Sequence, residues 1–283
     1  MIVTGAEGQV GRLLVAQAPR HGYQVRALTR RNLDITDPAA ARRHIGEGDL
    51  VINCAAFTNV DAAESEPATA QAVNAVGPRN LARACAAVGA RLVHISTDYV
   101  FSGELRRPYE ISDACGPLSV YGRSKLDGEL AVHAELPEAQ VVRTSWVYTG
   151  GAGNDFVAVM RRLAATDRQI DVVADQTGSP TYAEDLVGAL LHIAAGGITA
   201  PILHAANAGA ASRFEQAQAV FSLLGEDPQR VRPVDTGAFP RPASRPVYSA
   251  LSIAESVQAG LGPLRPWQDA LAEALAEPLA STP

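Results

Sequence analysis

The sequence predicts an α/β fold in which a doubly wound parallel sheet is followed by a smaller C-terminal lobe. A short apolar segment at the N-terminus leads into closely spaced glycines and then into a helical pattern. Strand-like and helix-like segments alternate as far as residue 148, which is typical of a parallel sheet covered by helices. Beyond that residue the alternation weakens. We therefore predict one domain at 1–148 and a lobe at 149–283, with parts of about 180–206 returning to the first domain.

The composition describes a globular chain of 283 residues with a net charge of −6. This acidic balance argues against a surface that follows nucleic-acid phosphates. No stretch of about 18 uncharged apolar residues predicts a membrane span, and no signal peptide is expected. The three cysteines are widely spaced and the histidines are scattered, so we expect neither disulfides nor a metal site. The cysteines are expected to be free thiols in a reducing cytoplasm.

The first unit reads MIVTGAEGQVG, a very short strand followed by three glycines. In a dinucleotide-binding turn Gly5 permits the tight turn, Gly8 lets the backbone approach a pyrophosphate, and Gly11 permits close packing of helix on strand. An ordinary strand-to-helix turn is the alternative. The position between a strand and a helix favours the binding turn, and with it a Rossmann-like sheet.

Residues 23–29 alternate like a second strand and precede Arg30 and Arg31. An NAD-selective site would place an acidic residue here, on the ribose, whereas a guanidinium suits a 2′-phosphate. NADPH is therefore favoured as the cofactor, with NADH possible, and a solvated basic turn is the alternative. The following DITD at 34–37, before Pro38, predicts a capped helix with proline in its first turn.

Two later strands end in residues suited to a ligand site, because ligands of open α/β sheets bind outside the carboxyl ends of the strands. The strand predicted at 49–57 ends in small residues that leave room for a flat ring, and that at 91–97 ends in hydroxyl-bearing residues. The remaining predicted elements are a helix at 68–88, a strand at 140–146, a glycine-rich segment at 150–154, a helix at 155–166, a turn at 175–180, a helix at 182–194, a strand at 202–206, an irregular segment at 230–246 and a helix at 267–276. The arginines of the irregular segment could meet a diphosphate or be solvated.

Lys125 is the only lysine in the chain, and it follows Tyr121 by four residues. On a helix these side chains share a face, so the ammonium would stand near the phenol and lower its pKa from about 10. A phenol tuned in this way can act as a general acid or base. An exposed helix pair without a role is the alternative.

Several longer sequence motifs resemble those of a known protein family, and the resemblance covers nearly the whole chain. The most specific are STDYVF at 96–101 and SVYGRSKL at 119–126, and others are VTGAEGQVG at 3–11, VINCAAFTNVDAAESEP at 51–67, DQTGSPTYAEDL at 175–186 and PASRP at 242–246. The chain resembles the extended short-chain dehydrogenase/reductase superfamily and, within it, the dTDP-4-dehydrorhamnose reductase family. The resemblance implies a Rossmann-like doubly wound parallel sheet with a smaller C-terminal substrate-binding lobe.

The resemblance also implies site residues, position by position. The positions that match the catalytic residues are Thr97, Tyr121 and Lys125. The positions that match cofactor contacts are Gly5, Gly8, Gln9, Val10, Gly11, Asp34, Ile35, Ala55, Ala56, Thr58, Tyr121 and Lys125, to which the argument on the 2′-phosphate adds Arg30. The positions that match the sugar pocket are Val60, Thr97, Asp98, Tyr99, Tyr121 and Trp146.

The implied activity is NADPH-dependent reduction of the C4 keto group of a dTDP-4-keto-6-deoxyhexose, most directly dTDP-4-dehydro-L-rhamnose to dTDP-L-rhamnose. Tyr121 would donate the proton, Lys125 would hold the cofactor ribose and tune the phenol, and Thr97 would polarise the carbonyl. Trp146 would form an apolar wall for the sugar, or serve only the core. The expected partner is the dTDP-sugar substrate, and the expected state is a monomer or a homodimer in the cytoplasm.

Departures from the family pattern leave alternatives open. Glu7 replaces a common asparagine, Leu13 replaces a glutamate associated with metal-assisted dimer contacts, and Tyr248 and Ser252 replace an asparagine and an aspartate. The alternatives are a reductase for another dTDP-4-ketosugar of secondary metabolism, a nucleotide-sugar epimerase or dehydratase, and a non-catalytic NADP-binding regulatory subunit. The intact catalytic set argues against the last of these.

Overall fold

The computed structural model describes residues 1–151 and 153–276. Its strands are β1 (Ile2–Thr4), β2 (Arg26–Leu28), β3 (Leu50–Asn53), β4 (Arg91–Thr97), β5 (Gln140–Thr144), β6 (Val147–Tyr148), β7 (Ile170–Val173), β8 (Thr177–Gly178), β9 (Thr181–Tyr182), β10 (Ile202–His204), β11 (Ala211–Ser212) and β12 (Val231–Val234). Its α-helices are α1 (Gln9–Gln17), α2 (Pro38–His44), α3 (Val60–Ser65), α4 (Pro67–Gln71), α5 (Gly77–Val88), α6 (Val120–Glu135), α7 (Phe156–Ala164), α8 (Ala183–Ala195), α9 (Arg213–Leu223), α10 (Ala254–Gln258) and α11 (Trp267–Ala276). The glycine-rich segment predicted at 150–154 and the lobe predicted at 149–283 therefore lie partly outside the described residues.

Six parallel strands form the central sheet in the order β10–β5–β4–β3–β1–β2. The strand order reverses between β1 and β3, because the chain adds β2 on one side of β1 and the later strands on the other. Ligands of such sheets bind outside the carboxyl ends of the strands at this reversal. The predicted α/β, doubly wound parallel fold is confirmed.

Both faces of this sheet are apolar. Successive residues of a strand point to opposite faces, and the successive residues of the inner strands are apolar. Ile2 and Val51 are fully buried in a cluster with residues of α2, α5 and α6. Val3 and Ile52 are fully buried in a second cluster, against α1 and α8. Each such side chain contributes about 1.5–3 kcal/mol by its removal from water, and together they hold the carboxyl edge of the sheet in place.

The helix predicted at 68–88 is a continuous helical run of α4, a π-helical turn at Ala72–Val76 and α5. Within the π turn, the Asn74 amide donates to the Phe57 carbonyl and to the Ser124 hydroxyl, both at 3.0 Å. Its oxygen accepts from the Phe57 amide at 2.8 Å. The turn thus ties the loop after β3 to α6.

Several predicted segments differ from the structure. The strand predicted at 49–57 ends at Asn53 as β3, and the chain continues from there as a loop. The strand predicted at 23–29 shortens to β2, because Gly22 adopts a left-handed φ of 82° after a 3₁₀ turn and delays the return of the chain to the sheet. The turn predicted at 175–180 contains β8, which pairs antiparallel with β11. The segment predicted as irregular at 230–246 begins with β12, which pairs parallel with β7, so only its later part is irregular.

A separate apolar cluster includes Val157, Phe221 and Leu271 of the predicted C-terminal lobe, together with Tyr148. By contrast, α8 packs on α1, and β10 pairs with β5 in the central sheet. These contacts support the predicted division into two domains, which we retain as a proposal. In the described ranges, no helix has both the length and the apolar composition that crossing a bilayer requires.

Candidate functional site

A cavity of about 1070 Å³ opens at the carboxyl ends of β1, β3 and β4, where the strand order reverses. Every site residue predicted from the sequence lines it. The set is Gly5, Gly8, Gln9, Val10, Gly11, Arg30, Asp34, Ile35, Ala55, Ala56, Thr58, Val60, Thr97, Asp98, Tyr99, Tyr121, Lys125 and Trp146. Residues spread over more than half of the chain therefore meet in one space.

The glycine loop forms one wall of this cavity. Gly5 has a left-handed φ of 61°, and a Cβ added there would lie 2.6 Å from the amide nitrogen of Ala55. At Gly11 an added Cβ would lie 2.3 Å from the Gly5 carbonyl oxygen, so helix and loop touch as backbone. Gly8 caps α1 without a side chain, which leaves the first amides of the helix to bind an anion. The loop therefore fits the pyrophosphate of a dinucleotide.

Arg30 and Asp34, which follow β2 in the chain, line another part of the cavity. The Asp34 carboxylate accepts hydrogen bonds from the Thr36 hydroxyl at 2.7 Å and the Thr36 amide at 3.0 Å, which hold its pKa below the usual value. Arg30 makes no ion pair with a described residue and is available for a phosphate. Glu7, the departure in the glycine loop, lines the same cavity.

Tyr121 and Lys125 lie in the first turns of α6. Ser119 caps the start of this helix, and its hydroxyl accepts from the amide of Gly122 at 3.1 Å. The Lys125 ammonium donates to the carbonyl oxygen of Ile95 at 2.6 Å. Burial lowers the pKa of Lys125 to about 8. The pair is therefore built into the cavity wall, unlike an exposed helix pair.

The expectation that Lys125 lowers the pKa of Tyr121 is wrong. Burial raises the pKa of the phenol, and a hydrogen bond with the Thr97 side chain offsets only part of this rise. The ammonium is directed to the backbone of β4 and does not counteract the burial of the phenol. Tyr121 thus keeps its proton at neutral pH, which is the form that a proton donor requires.

Thr97 and Asp98 form a buried cluster of oxygens at the end of β4. The Thr97 hydroxyl donates to Asp98 Oδ1 at 2.9 Å and accepts from the Tyr99 amide at 3.2 Å. The hydroxyls of Ser145 and Ser249 donate to Asp98 Oδ2 at 2.9 and 2.5 Å. Burial raises the pKa of Asp98, although the three hydroxyls and the charge of Arg213 oppose the rise.

Trp146, which also lines the cavity, has an unusual backbone conformation. It is the non-glycine residue of the described chain with a positive φ, 48°, and its ring lies against Gly178, where an added Cβ would be 2.4 Å from Cε2. The guanidinium of Arg213 stacks 3.5 Å from the ring centroid. A ring fixed on both sides presents a defined apolar surface to the cavity.

Sequence reasoning missed Arg213 and the second cavity that it lines. This cavity has a volume of about 380 Å³ and shares Phe156 and Arg213 with the first. Arg241 and Arg245 also line it, with Phe239 among its apolar residues. The only signal in the sequence was the arginine-rich segment at 230–246, which is as typical of a solvated loop.

Nearly the whole chain matches the model of a known protein family. A model of the RmlD substrate binding domain family matches residues 1–279. The chain belongs to this family. A dTDP-4-dehydrorhamnose reductase of Mycolicibacterium smegmatis is 60% identical to the chain over 292 residues, covering 100% of the chain and 89% of the relative.

Two crystal structures resemble this RmlD-family protein closely. A dTDP-4-dehydrorhamnose reductase of Clostridium acetobutylicum superposes with a TM-score of 0.92 at 39% identity, covering 97% of this chain and 98% of the other. One from Bacillus anthracis, in complex with NADP, superposes with a TM-score of 0.91 at 37% identity, covering 98% of both chains.

The departures from the family pattern have different surroundings. Leu13 packs against the apolar cluster between the sheet and α8, and Tyr248 packs against a different apolar cluster that includes Leu251. The residue that follows Tyr248 is Ser249, which donates to Asp98. Across residues 1–151 and 153–276, no cluster of three or more histidine, cysteine or acidic residues could hold a metal ion.

Proposed function

We propose that this protein is an NADPH-dependent reductase that converts dTDP-4-dehydro-L-rhamnose to dTDP-L-rhamnose. The observation that carries the proposal is the meeting of Thr97, Tyr121 and Lys125 with a pyrophosphate-binding glycine loop in one cavity. A relative with 60% identity over the whole chain carries the name of this activity. No other set of residues in the described ranges combines a partly buried phenol, a buried ammonium and an anion-binding helix start.

Each catalytic residue has a distinct task in this proposal. NADPH, when bound along the glycine loop, supplies a hydride to the carbonyl carbon C4 of the sugar. Tyr121 donates its proton to the carbonyl oxygen, so that the ketone becomes an alcohol. Lys125 holds the cofactor ribose with its ammonium, and the Thr97 hydroxyl donates a hydrogen bond to the carbonyl oxygen as negative charge develops there.

The preference for NADPH over NADH rests on the adenosine end of the cavity. The guanidinium of Arg30 is suited to the 2′-phosphate, which NADH lacks. A related structure with 37% identity contains NADP. Ile35 would meet the cofactor on the adenosine side, and Ala55, Ala56 and Thr58, which line the same cavity, would lie beside the ribose and nicotinamide. Gln9 and Val10 complete the pyrophosphate loop.

We assign the sugar of the substrate to the wall formed by Val60, Tyr99 and Trp146. The dTDP group to which the sugar is attached is assigned to the second cavity. Tyr99 meets Tyr121 edge to face, with ring centroids 5.9 Å apart, which brings the sugar wall next to the proton donor. In the second cavity Arg213, Arg241 and Arg245 provide the positive charge that a diphosphate needs.

A reductase for another dTDP-4-ketosugar is the second candidate. The observation that favours it is the substitution of Tyr248 and Ser252 in a segment whose Ser249 reaches the wall of the sugar site through Asp98. A change in this segment can alter the shape of the pocket around the ketone.

We place the reaction in the cytoplasm, consistent with the free thiols of Cys54, Cys85 and Cys115, and expect a monomer or a homodimer.

The test is NADPH oxidation with enzymatically prepared dTDP-4-dehydro-L-rhamnose, followed by the absorbance of NADPH. We expect turnover by the natural protein and a loss of about 10²–10⁴-fold in kcat for Tyr121→Phe. Tyr148→Phe is the matched control, because the Tyr148 hydroxyl is buried without a hydrogen-bond partner among the described residues. Saturable NADPH binding without oxidation would refute the rhamnose assignment, and turnover of a different dTDP-4-ketosugar would establish the second candidate.

A further inference from the structure

Thr97 faces a conflict over its single hydroxyl proton. The proposed reduction, on which this inference rests, requires the Thr97 hydroxyl to donate to the carbonyl oxygen of the substrate. In the structure the same hydroxyl donates to Asp98 Oδ1 at 2.9 Å. A hydroxyl has one proton to donate and two lone pairs that accept. Thr97 therefore cannot serve an ionised Asp98 and the substrate at the same time.

The surroundings of Asp98 suggest how the conflict is resolved. The side chain is 2% exposed, and the neighbours of its carboxyl oxygens are the hydroxyls of Thr97, Ser145 and Ser249. In the described chain no arginine or lysine forms an ion pair with it. Enclosure away from water without an ion-pair partner favours the protonated carboxyl group.

We propose that Asp98 is a positioning residue that acts in its protonated form, donating to Thr97 Oγ1 and so turning the Thr97 proton to the substrate carbonyl. The hydrogen bond between Thr97 and Tyr121 then gives way to hydrogen bonds from both residues to the substrate carbonyl oxygen. The Thr97 oxygen accepts from Asp98 and from the Tyr99 amide and donates to the substrate. Asp98 Oδ2 accepts from Ser145 and Ser249. Asp98 contributes no proton to the product, because its proton stays on the carboxyl group.

The charged and titratable groups around Asp98 do not remove this preference. Burial raises its pKa above the usual value even though Arg213, at the start of α9, opposes the rise. Tyr99 and Tyr121 face it from its own turn and from α6, and burial raises the pKa of both phenols, so they stay neutral. The lysine of α6, Lys125, is directed to the carbonyl oxygen of Ile95.

The proposal predicts a specific pH dependence of the chemical step. The active form holds a proton on Asp98, so the single-turnover rate should fall as the pH rises through the pKa of Asp98. Once Asp98 is ionised, its carboxylate competes with the substrate for the Thr97 proton. The single-turnover rate should then fall by at most roughly 10²–10³-fold, which is the effect of removing one hydrogen-bond donor from a developing oxyanion. A merely structural role for Asp98 would change the rate without producing this dependence.

Three variants test the proposal by rapid mixing of the NADPH complex with dTDP-4-dehydro-L-rhamnose across the pH range in which the protein is folded. Asp98→Asn should lose the pH dependence, because its amide donates to Thr97 at every pH. Asp98→Ala should be slower at every pH, since Thr97 then lacks an orienting donor. Ser249→Ala should shift the fall in rate to higher pH, because this serine stabilises the ionised carboxylate.

The outcomes separate the positioning role from the proposed function. A natural protein that binds NADPH without turnover would refute the reductase assignment itself. Turnover in which Asp98→Asn keeps the pH dependence of the natural protein, or in which Ser249→Ala shifts the fall to lower pH, would overturn only the role of Asp98. In a Thr97→Val background Asp98→Asn should leave the pH profile as it is, because Asp98 acts through Thr97. NADPH fluorescence confirms that each variant is folded.

Discussion

At the scale of single residues, burial sets the protonation state of the two residues that share the first turns of α6. The phenol of Tyr121 keeps its proton because burial raises its pKa. The ammonium of Lys125 is less secure, because burial lowers its pKa to about 8. Glu129, one turn further along the helix, attracts the ammonium, but its carboxylate is already bonded to Arg143 at 2.7 Å. The charge of Lys125 therefore changes within the range of ordinary assay conditions.

We predict that the affinity for NADPH decreases as the pH rises through about 8, the pKa of Lys125. Below that pH the ammonium can make a charge-assisted hydrogen bond to the cofactor ribose, and above it the neutral amine makes a weaker one. The difference of about 1 kcal/mol between charged and neutral hydrogen bonds corresponds to a change of roughly fivefold in the dissociation constant. Fluorescence titration of NADPH at a series of pH values measures it.

Two variants of Lys125 isolate the charge. Lys125→Met should bind NADPH weakly at every pH, because it never carries the ammonium. Lys125→Arg keeps a positive charge throughout and should lose the pH dependence while retaining more affinity than Lys125→Met. If the natural protein and Lys125→Met weakened in parallel with rising pH, the titrating group would have to be another residue.

At the scale of secondary-structure elements, the position of α6 depends on two glycines on its packed face. A Cβ added at Gly122 would lie 2.2 Å from the carbonyl oxygen of Tyr99, and one added at Gly128 would lie 2.1 Å from that of Asn74. The helix thus touches the turn after β4 and the π turn backbone to backbone. This close approach brings Tyr121 within hydrogen-bonding reach of Thr97.

We predict opposite effects for the same substitution in two helices. Gly128→Ala should destabilise the protein by about 1–3 kcal/mol or more, because the backbone that the new methyl group meets cannot move aside cheaply. Gly188→Ala, in α8, should stabilise by about 0.5–1 kcal/mol, because that site is exposed and open and alanine favours the helix. Urea unfolding midpoints compare the two, and equal effects would contradict the packing argument.

The sequence predicts the elements whose information is local. The strand at Arg91–Thr97 has the predicted bounds, and the helix predicted at 267–276 begins at Trp267 as expected. The glycine loop and the sole lysine lie in the cavity wall. It could not predict β12, the positive φ of Trp146 or the stacking of Arg213, because each depends on a partner distant in the chain. The pKa of Tyr121 was mispredicted for a related reason, since burial is a property of the assembled fold.

At the scale of the whole molecule, polar side chains from the first 148 residues bond to residues from the later part of the chain, near both cavities. The Gln9 amide of the glycine loop donates to Asp155, the residue that caps α7, at 3.1 Å. Asp61 of α3 accepts two hydrogen bonds from the Arg245 guanidinium, at 3.0 and 2.8 Å. Because these bonds join segments from both parts of the chain, they favour a closed arrangement of the site.

We predict that the Asp61–Arg245 pair couples the two parts by about 1–3 kcal/mol in a double-mutant cycle of Asp61→Asn and Arg245→Gln. The ion pair is bidentate and partly buried, with the Asp61 side chain 25% exposed and the Arg245 side chain 19% exposed, so solvent screens it only in part. The same cycle at Asp171 and Arg232, which are 37% and 55% exposed, is the matched control and should give less than about 1 kcal/mol. Similar coupling at both pairs would mean that Asp61 and Arg245 form an ordinary surface contact.

The pH dependence of this coupling follows from the pKa of Asp61. Hydrogen bonds from Arg245 hold that pKa below its usual value, whereas in the unfolded chain it lies at about 3.9. The contribution of the pair is therefore fully present above about pH 4 and is lost as the pH falls through the folded pKa. The natural protein and Asp61→Asn should converge in stability on acidification. A difference that persisted in acid would show that the asparagine acts by changing packing and not by removing the charge.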